Sequence, residues 1–266
     1  MKRIKIMASV LLLVAFFTAV SFKTASNNMP VAVAAGNAPV LVWGDEFNTD
    51  GLPDTTKWGY DLGAGGWGNN ESQYYTNRVA NAVVIDGSLK ITAKKEAYNG
   101  SDYTSARLLS KDKYSFQYGK VAVRAKLPAG GGTWPAIWML GSNINTAGWP
   151  GCGEIDIMEH LGNDLNKIYG TLHYPGRSGG NADGNNKIIA NATTEFHIYA
   201  AEWDAAFIKV FVDGQLIHSV TNSGSIPFSH QFFLIMNVAM GGGFGGAIDP
   251  AFREASMEVD YIRVYQ

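Results

Sequence analysis

The chain has 266 residues, a formal net charge of −2, 17% charged residues and a single cysteine, Cys152. The near-neutral charge, with no basic run beyond the N-terminus, argues against a nucleic-acid partner. The lone cysteine excludes an intramolecular disulfide. Aromatic residues reach 12% and glycines number 31, a composition typical of a β protein with many tight turns.

The N-terminus has the pattern of an export signal. A basic "MKRIK" precedes the apolar run "IMASVLLLVAFFTAV", and small residues follow as far as "VAVAAG" at 31–36. The apolar run is shorter than the ~20 residues that a membrane span needs. We expect 1–35 to be a signal peptide, cleaved somewhere between about residue 20 and residue 35, with an uncleaved anchor as the alternative. Residues 36–266 then form one secreted domain, without membrane contact after the signal is removed.

Alternating apolar and polar residues dominate the rest of the chain. "SLKITAKKE" places Leu89, Ile91 and Ala93 on one side, and "GKVAVRAKLP" alternates in the same way. "FIKVFVDGQLIHSV" predicts a hairpin, because Asp213–Gly214 suits a two-residue turn with positive φ. "FFLIMNVAM" predicts a strand covered on both faces, and "SMEVDYIRVYQ" a closing strand.

No capped helix of three turns, repeat or linker divides these strands. The pattern predicts an all-β fold, an antiparallel sandwich of two sheets in one domain. The glycine-rich stretches at 130–132 and 241–246 are expected to be loops beside aromatic strands, where a chain-like ligand could approach the backbone.

Three carboxylates crowd into the stretch "EIDIME", as Glu154, Asp156 and Glu159. In a regular strand Glu159 would fall on the opposite face, with Ile155 and Ile157, where an unpaired charge costs several kcal/mol. A β-bulge at 157–158 restores the phase and turns all three acids to one face. The sequence therefore predicts a bulged strand beside a cleft.

A retaining glycosidase uses a pair of carboxyl groups for catalysis, one as nucleophile and one as acid/base. A third acid between them can help keep one glutamic acid protonated near neutral pH. A calcium site or a solvated strand face are the alternatives, although calcium loops favour Gly, Asp and Asn over the Ile and Met found here. Three tryptophans lie near the acids in sequence, Trp134, Trp138 and Trp149. Their indoles could stack on sugar rings or, alternatively, fill the core.

Other chemistries find little support in the sequence. The five histidines form no HxH or HExxH grouping, which disfavours zinc, and no GxSxG is present for a serine hydrolase. Cys152 borders the acids, but its apolar neighbourhood indicates a packed thiol and not a nucleophile.

Taken together, these motifs resemble glycoside hydrolase family 16, and within it the bacterial laminarinase-like endo-β-1,3-glucanases. The similarity runs through the mature chain, in "LVWGDEFN", "WGNNESQYYT", "TSARLLS", "YGKVAVRAKLP", "GGTWPAIWML", "WPGCGEIDIMEH", "YGTLHYPG", "AEWDAAFIKVFVDG", "MNVAMGG" and "VDYIRVYQ". The six-residue acidic motif is the specific one, since mixed-linkage lichenases of the family resemble a five-residue form, E-x-D-x-E, without the bulge.

The resemblance implies a concanavalin-like β-jelly roll with an open substrate cleft on the concave sheet. It implies that Glu154 is the nucleophile, that Asp156 assists it and that Glu159 is the general acid/base. Positions that match the family's cleft, and are therefore expected to bind substrate, are Asn69, Glu71, Arg107, Trp134, Trp138, His173 and Asn237. No cofactor is expected for catalysis. A structural calcium is also implied, at Glu46, Gly87 and Asp260, two of them through backbone carbonyls.

The resulting prediction is a secreted, monomeric, endo-acting retaining glycosidase that hydrolyses β-1,3-glucan. A mixed-linkage β-1,3-1,4-glucanase or a transglycosylase of the same family is the nearest alternative. A glucan-recognition protein that binds without cutting is the alternative from another class, and such proteins typically lack one or both glutamates that this chain retains.

Overall fold

The computed structural model describes residues 39–266, so the predicted signal peptide lies outside the described residues. Nearly all regular structure is strand. The strands are β1 Leu41–Asp45, β2 Gly59–Asp61, β3 Gln73–Tyr75, β4 Ala82–Ile85, β5 Ser88–Tyr98, β6 Ser101–Ser105, β7 Arg107–Leu109, β8 Gly119–Lys126, β9 Thr133–Gly141, β10 Glu154–His160, β11 Lys167–His173, β12 Asp183–Ile188, β13 His197–Trp203, β14 Phe207–Val212, β15 Gln215–Thr221, β16 Phe232–Met240 and β17 Glu254–Tyr265. Two single helical turns, α1 Ile144–Ala147 and α2 Gly242–Gly245, and two 3₁₀ turns, Gly66–Gly68 and Gly179–Asn181, complete the described part.

The strands form two sheets, which confirms the predicted sandwich. One sheet has ten strands, in the order β15-β14-β13-β8-β17-β5-β6-β3, with β1 added beside β17 and β4 beside β5. The other has seven strands, in the order β12-β11-β10-β9-β16-β7-β2. Every pairing is antiparallel except that of β3 with β6. We call the seven-stranded layer the cleft sheet, because the three acids lie on it.

The core fills the space between the two sheets. The alternation predicted for β5 is confirmed, since Leu89, Ile91 and Ala93 are fully buried while Lys90 and Thr92 are less so. Each strand contributes alternate side chains to this layer because successive side chains point to opposite faces. None of the helices within 39–266 has the length and apolar character needed to cross a bilayer.

The β14–β15 hairpin also follows the prediction. Val212 pairs with Gln215 across a two-residue turn, and the turn residues Asp213 and Gly214 have φ of 48° and 74°. Positive φ at both positions suits the right-handed twist of the flanking strands. Local sequence therefore fixes this turn.

Strand β16 is covered on both faces, as its apolar sequence predicts. All nine residues from Phe232 to Met240 are buried. One side of the strand joins the core, and on the other side Phe233 and Ile235 pack in a small apolar cluster with Leu140 and Cys152. This second cluster lies beside Trp138 and forms an apolar support for the cleft floor.

The glycine-rich stretch at 241–246 differs from the prediction of a plain loop. Its central residues Gly242–Gly245 form one helical turn, closed by a hydrogen bond from Gly246 N to Gly242 O. Phe244 sits in this turn and contacts Trp134 with ring centroids 5.4 Å apart. The turn thus presents an aromatic side chain to the cleft, where the prediction expected only exposed backbone.

Candidate active site

A β-bulge in β10 turns the three acids to one face. On neighbouring β11, Thr171 lies opposite Asp156 and Tyr169 lies opposite Glu159, so three residues of β10 span the distance of two on its partner. The register with β9 shifts at the same place. The extra residue reverses the alternation, as a bulge does, and the sequence-based prediction of the bulge is confirmed.

Burial of the intervening side chains agrees with this geometry. Ile155, Ile157 and Met158 are all fully buried in the core. The three carboxyl groups instead line a cleft of about 1060 Å³ on the cleft sheet. The core therefore receives only apolar side chains from β10 at these positions, and no charge enters it.

The same cleft brings the predicted site residues together. The residues of its wall include all ten, namely Asn69, Glu71, Arg107, Trp134, Trp138, Glu154, Asp156, Glu159, His173 and Asn237. They come from five strands of the cleft sheet and from the loop before β3. The structure thus places the residues in one site; their individual roles remain predictions.

The two glutamates have different hydrogen-bond partners. Glu159 accepts bonds from Trp134 Nε1 at 3.0 Å and from Thr171 Oγ1 at 3.3 Å. Glu154 accepts one from Trp149 Nε1 at 3.1 Å. Each glutamate is therefore oriented by an indole, one from β9 and one from the loop before β10.

Asp156 lies between the glutamates and is only 4% exposed. Its Oδ2 is 3.2 Å from His173 Nε2, although the angle falls short of a well-formed hydrogen bond. The same nitrogen lies 3.7 Å from Glu154 Oε1. One imidazole edge therefore faces two of the three acids.

Burial raises the pKa of all three carboxyl groups above their ordinary values. For Glu154 burial, followed by the charge of Asp156, raises the pKa to about 8. Burial and the charge of Glu159 raise the pKa of Asp156 well above its usual range. Burial also raises the pKa of Glu159, against hydrogen bonds from Trp134 and Thr171. Like charges in one dry site cannot all ionise, so the site retains protons near neutral pH.

The raised pKa of Glu154 predicts a pH-dependent stability. Between pH 4.5 and about 8 the folded state holds a proton that the unfolded state releases, so stability falls as pH rises through this window. At about 1.4 kcal/mol per pKa unit, the loss amounts to roughly 3–5 kcal/mol. We expect Glu154→Gln, which cannot ionise, to raise the melting temperature relative to wild type by at least about 5 °C at pH 9 and by little at pH 4.5.

Thermal melts of both proteins across this pH range measure the difference directly. Glu195→Gln is the matched control, because Glu195 is an exposed acid away from the cleft. A constant offset between wild type and Glu154→Gln at all pH values would contradict the raised pKa.

The floor of the cleft beside the acids is aromatic and cationic. Trp138 donates its Nε1–H to Asn237 Oδ1 at 2.8 Å. The Arg107 guanidinium lies 4.7 Å from the Trp138 ring centre and 5.1 Å from that of Trp67, and its Nε is 3.0 Å from a carboxylate oxygen of Asp61. Arg107 is thus held between two indoles, which fixes both rings for contact with a ligand.

Glu71 is held at the edge of this floor by a polar network. Its Oε2 accepts from Gln73 Nε2 at 2.7 Å and from Tyr75 OH at 3.2 Å, and its Oε1 accepts from Asn69 Nδ2 at 3.1 Å. Tyr75 OH in turn accepts from Asn237 Nδ2 at 3.1 Å. The network connects Glu71 to Trp138 through Asn237.

Sequence reasoning missed several residues of the cleft. Trp67, Tyr169, Thr171 and Phe244 all line it. Trp149, which the sequence placed among the possible sugar platforms, lines the cleft as well. The single aromatic within the glycine-rich stretch was a usable signal for Phe244. Tyr169 and Thr171 alternate with His173 along β11, and only the pairing of β11 with β10 reveals that they face the acids.

Cys152 is a packed thiol, as the sequence predicts. It is fully buried, and burial raises its pKa to about 11. The thiolate, which is the nucleophilic form, is therefore absent near neutral pH.

The three residues predicted to hold calcium approach the same stretch of β17. Glu46 directly follows β1, whose last pair joins Asp45 to Ile262, and Gly87 lies two residues before Leu89, which pairs with Val259. Asp260 sits between these pairs, at a register shift of β17.

Arginines engage both carboxylates of this predicted calcium site. Glu46 accepts two hydrogen bonds of 2.8 Å from Arg263, and Asp260 Oδ2 accepts one of 2.7 Å from Arg124. Both oxygens of the Glu46 carboxylate are therefore engaged by Arg263, so this carboxylate is not free to bind a cation.

Comparisons with family models, curated proteins and solved structures all indicate the same family. Residues 69–263 match the model of "Glycosyl hydrolases family 16". A β-glucanase from Rhodothermus marinus is 46% identical over 242 residues, covering 85% of each chain. The structure of the laminarinase from Rhodothermus marinus superposes with a TM-score of 0.83 at 46% identity, over 86% of this chain and 98% of that one. A laminarinase variant from Zobellia galactanivorans, solved with laminaritriose and laminaritetraose, has a TM-score of 0.79 at 44% identity, over 85% and 98%.

Proposed function

The chain belongs to glycoside hydrolase family 16, and on that basis we propose that it is an endo-acting hydrolase of β-1,3-glucan with retention of configuration. The observation that carries this proposal is the bulged β10, which presents two glutamates and an aspartate to one open cleft. The cleft extends across the sheet from Arg107 on β7 to Gly184 on β12. A groove of this extent suits internal cleavage of a chain.

In the proposed mechanism, Glu154 attacks the anomeric carbon while Glu159 gives its proton to the departing glycosidic oxygen. The C–O bond of the substrate breaks as the Glu154–sugar ester forms. Water then attacks the ester, with Glu159 taking a proton from it, and releases the sugar with its original configuration. Trp149 orients Glu154 and Trp134 orients Glu159 through the bonds described above.

Asp156 supports this division of roles by keeping its own proton. It is the most deeply buried of the three acids, and its pKa is raised well above its usual range. A neutral Asp156 adds no like charge beside Glu154, so it makes ionisation of the nucleophile less costly, although burial still raises the pKa of Glu154.

The indole faces beside the acids would bind the sugar rings by stacking. Trp138 and Trp134 alternate with core residues along β9 and face the cleft. The apolar faces of glucose rings stack on such surfaces, while Asn69, Glu71 and Asn237 offer polar groups for hydroxyls. The related laminarinase from Zobellia galactanivorans was solved with laminaritriose and laminaritetraose, which supports a β-1,3-glucan as ligand here.

The test is product analysis on laminarin and on barley-type mixed-linkage glucan, side by side. We expect internal cleavage of laminarin, and proton NMR of the first product should show the β anomer. Preferential cleavage of the mixed glucan would favour the β-1,3-1,4-glucanase alternative, and longer sugars as the main products would indicate transglycosylation. Binding of laminarin without any product would indicate a glucan-recognition protein.

We also propose a structural calcium at the Glu46, Gly87 and Asp260 site, bound through two backbone carbonyls and the Asp260 carboxylate. The ion would join β1, β5 and β17 away from the catalytic acids and take no part in the chemistry. A chelator should then lower the melting temperature by about 5–10 °C, since saturating ligand stabilises by about 2.7 kcal/mol at 100 times Kd.

Two variants separate this ion from the ion pair that shares Asp260. Asp260→Asn should abolish the response to added calcium, whereas Arg124→Gln, which removes only the partner of Asp260, should keep it. A melting temperature that chelator and calcium both leave unchanged would refute the site.

Export remains part of the proposal and rests on the apolar N-terminal run of the sequence alone. N-terminal sequencing of protein from the culture medium would identify the cleavage point between about residue 20 and residue 35. We propose further that the secreted domain is a monomer, which light scattering would test.

A further inference from the structure

His173 has polar neighbours at both ring nitrogens, and a hydrogen bond holds one of them. Its Nδ1 accepts a hydrogen bond of 3.1 Å from the backbone N–H of Gly179. Its Nε2 faces Asp156 Oδ2 at 3.2 Å and Glu154 Oε1 at 3.7 Å. The imidazole therefore connects a loop to two of the three acids.

The Gly179 contact decides which ring nitrogen carries the proton. A backbone N–H can only donate, so Nδ1 must present its lone pair, and in a neutral imidazole the proton then resides on Nε2. The Nε2–H of His173 accordingly faces Asp156 and Glu154 as an available donor. This orientation holds the imidazole proton where the acids need a hydrogen-bond donor.

The same tautomer makes this cluster unsuited to a metal. Ligand atoms of Glu154, Asp156 and His173 lie within 4.8 Å of one another, a spacing that could hold an ion. A metal-bound histidine normally donates its second N–H to an acceptor. Here the second nitrogen faces a donor, so Nε2 cannot offer its lone pair to a cation without breaking the Gly179 bond.

Gly179 belongs to the loop of residues 174–182 that joins β11 to β12. Backbone bonds of 2.9 Å in both directions between Tyr174 and Arg177 close its first turn. Asn181 Nδ2 donates to Gly176 O at 3.0 Å and ties its second half to the first. These bonds make the loop a small, internally bonded unit, whose position depends on how it is attached to the sheets.

Asp183 provides that attachment. Its Oδ2 accepts from Tyr174 OH at 2.7 Å, and its Oδ1 lies 3.0 Å from His218 Nε2 and 3.4 Å from Arg177 Nη2. His218 is on β15, the edge strand of the opposite sheet. Asp183 thus joins both ends of the loop to one another and to the second layer of the sandwich.

We propose that Asp183 and His218 are positioning residues, which hold the loop so that Gly179 keeps His173 as an Nε2–H donor to the catalytic acids. The proposal deepens the proposed glycosidase function and rests on it for its kinetic consequence. The pair acts only through Gly179 and His173 and touches no substrate. The pair affects the reaction by keeping the His173 proton on Nε2, where it faces the acids.

The first test reads the tautomer without turnover. Nitrogen-15 NMR of the His173 ring should show an unprotonated Nδ1 and a protonated Nε2 in the wild type. In Asp183→Ala and His218→Ala both nitrogens should move toward the averaged shifts of a free imidazole. His197→Ala is the matched control, because His197 pairs with Asp213 at 2.7 Å elsewhere in the fold.

The second test is kinetic. Asp183→Ala should lower kcat on laminarin by roughly 10- to 100-fold, since small misplacements of a catalytic group can cost about 10²-fold. The acid limb of its pH profile should move upward, because an Nε2–H that faces Glu154 favours the ionised carboxylate, and this contribution weakens when the ring is no longer held. If the pair acts as a unit, the double variant should lose no more activity than the more affected single variant.

The outcomes are distinguishable from failure of the glycosidase proposal. A protein that shows the tautomer and its loss in the variants, but cuts no glucan, would refute the function and keep the positioning of His173. A protonated Nδ1 in the wild type would overturn the inference, as would unchanged shifts and an unchanged pH profile in the variants. Should Asp183→Ala not fold, His218→Ala, which keeps the Tyr174 and Arg177 contacts, makes the same test.

Discussion

Replacing Glu154 by alanine should lower hydrolysis of laminarin by about 10⁴- to 10⁶-fold, because loss of a covalent nucleophile removes the double displacement itself. Within residues 39–266 the Glu154 side chain accepts one hydrogen bond, from Trp149, and it lines the cleft and not the core. We therefore expect a folded protein whose affinity for laminarin changes little. Initial rates and binding isotherms on the same preparation measure the two quantities.

The configuration of the product formed with azide shows on which face of the sugar the Glu154 carboxylate lay. In Glu154→Ala a small anion can enter the vacated space and attack an activated aryl β-glycoside, and the product should be the α-azide. Glu195→Ala is the control and should hydrolyse laminarin normally, because Glu195 is exposed and is not among the residues that line the cleft. Full activity in Glu154→Ala, or a β-azide from it, would refute the nucleophile assignment.

Replacing Glu159 by alanine should lower the rate by an amount that depends on the leaving group of the substrate. Hydrolysis of laminarin needs a proton on the departing oxygen and should fall by about 10²- to 10⁴-fold. The first step on an aryl glycoside with a good leaving group needs little proton donation and should lose far less. Azide should then release a β-azide, because it attacks the sugar still esterified to Glu154.

Two results would contradict the roles assigned to Glu154 and Glu159. If Glu159→Ala stalls aryl glycosides as fully as laminarin while Glu154→Ala spares them, the roles are reversed. Inversion in the wild-type reaction would reject double displacement altogether. The rates of the wild type and of Glu159→Ala depend on the protonation of Glu154, so they should be measured below and above pH 8, the region of the raised Glu154 pKa.

Much of the fold follows from local rules that sequence reveals. The period-2 burial of β5 and the Asp213–Gly214 turn arise from strand geometry and allowed φ, which act within a few residues. The bulge in β10 was predictable for a different reason. Regular alternation would have buried Glu159 among isoleucines, and the energetic cost of that charge leaves a bulge as the consistent solution.

Tertiary structure decided which aromatic residues face the cleft. Trp58 and Trp203 are buried in the core, while Trp138 and Trp149 line the cleft. Sequence does not separate these tryptophans, because an indole stabilises a core and a sugar platform through the same apolar surface. The difference lies in which sheet each strand joins and which face it presents there.

Tertiary structure also decided the protonation of the site. The contact of Asp183 with His218 joins residues 35 positions apart on edges of two different sheets. The bond from Gly179 to His173 depends on a loop that this contact holds. By itself the sequence determined the strands, the bulge and the identity of the acids, since these depend on local geometry and on the cost of burying charge. The tautomer of His173, the pKa of each acid and the arginines at Glu46 and Asp260 depend on distances between strands remote in the chain, and only packing of the two sheets sets those distances.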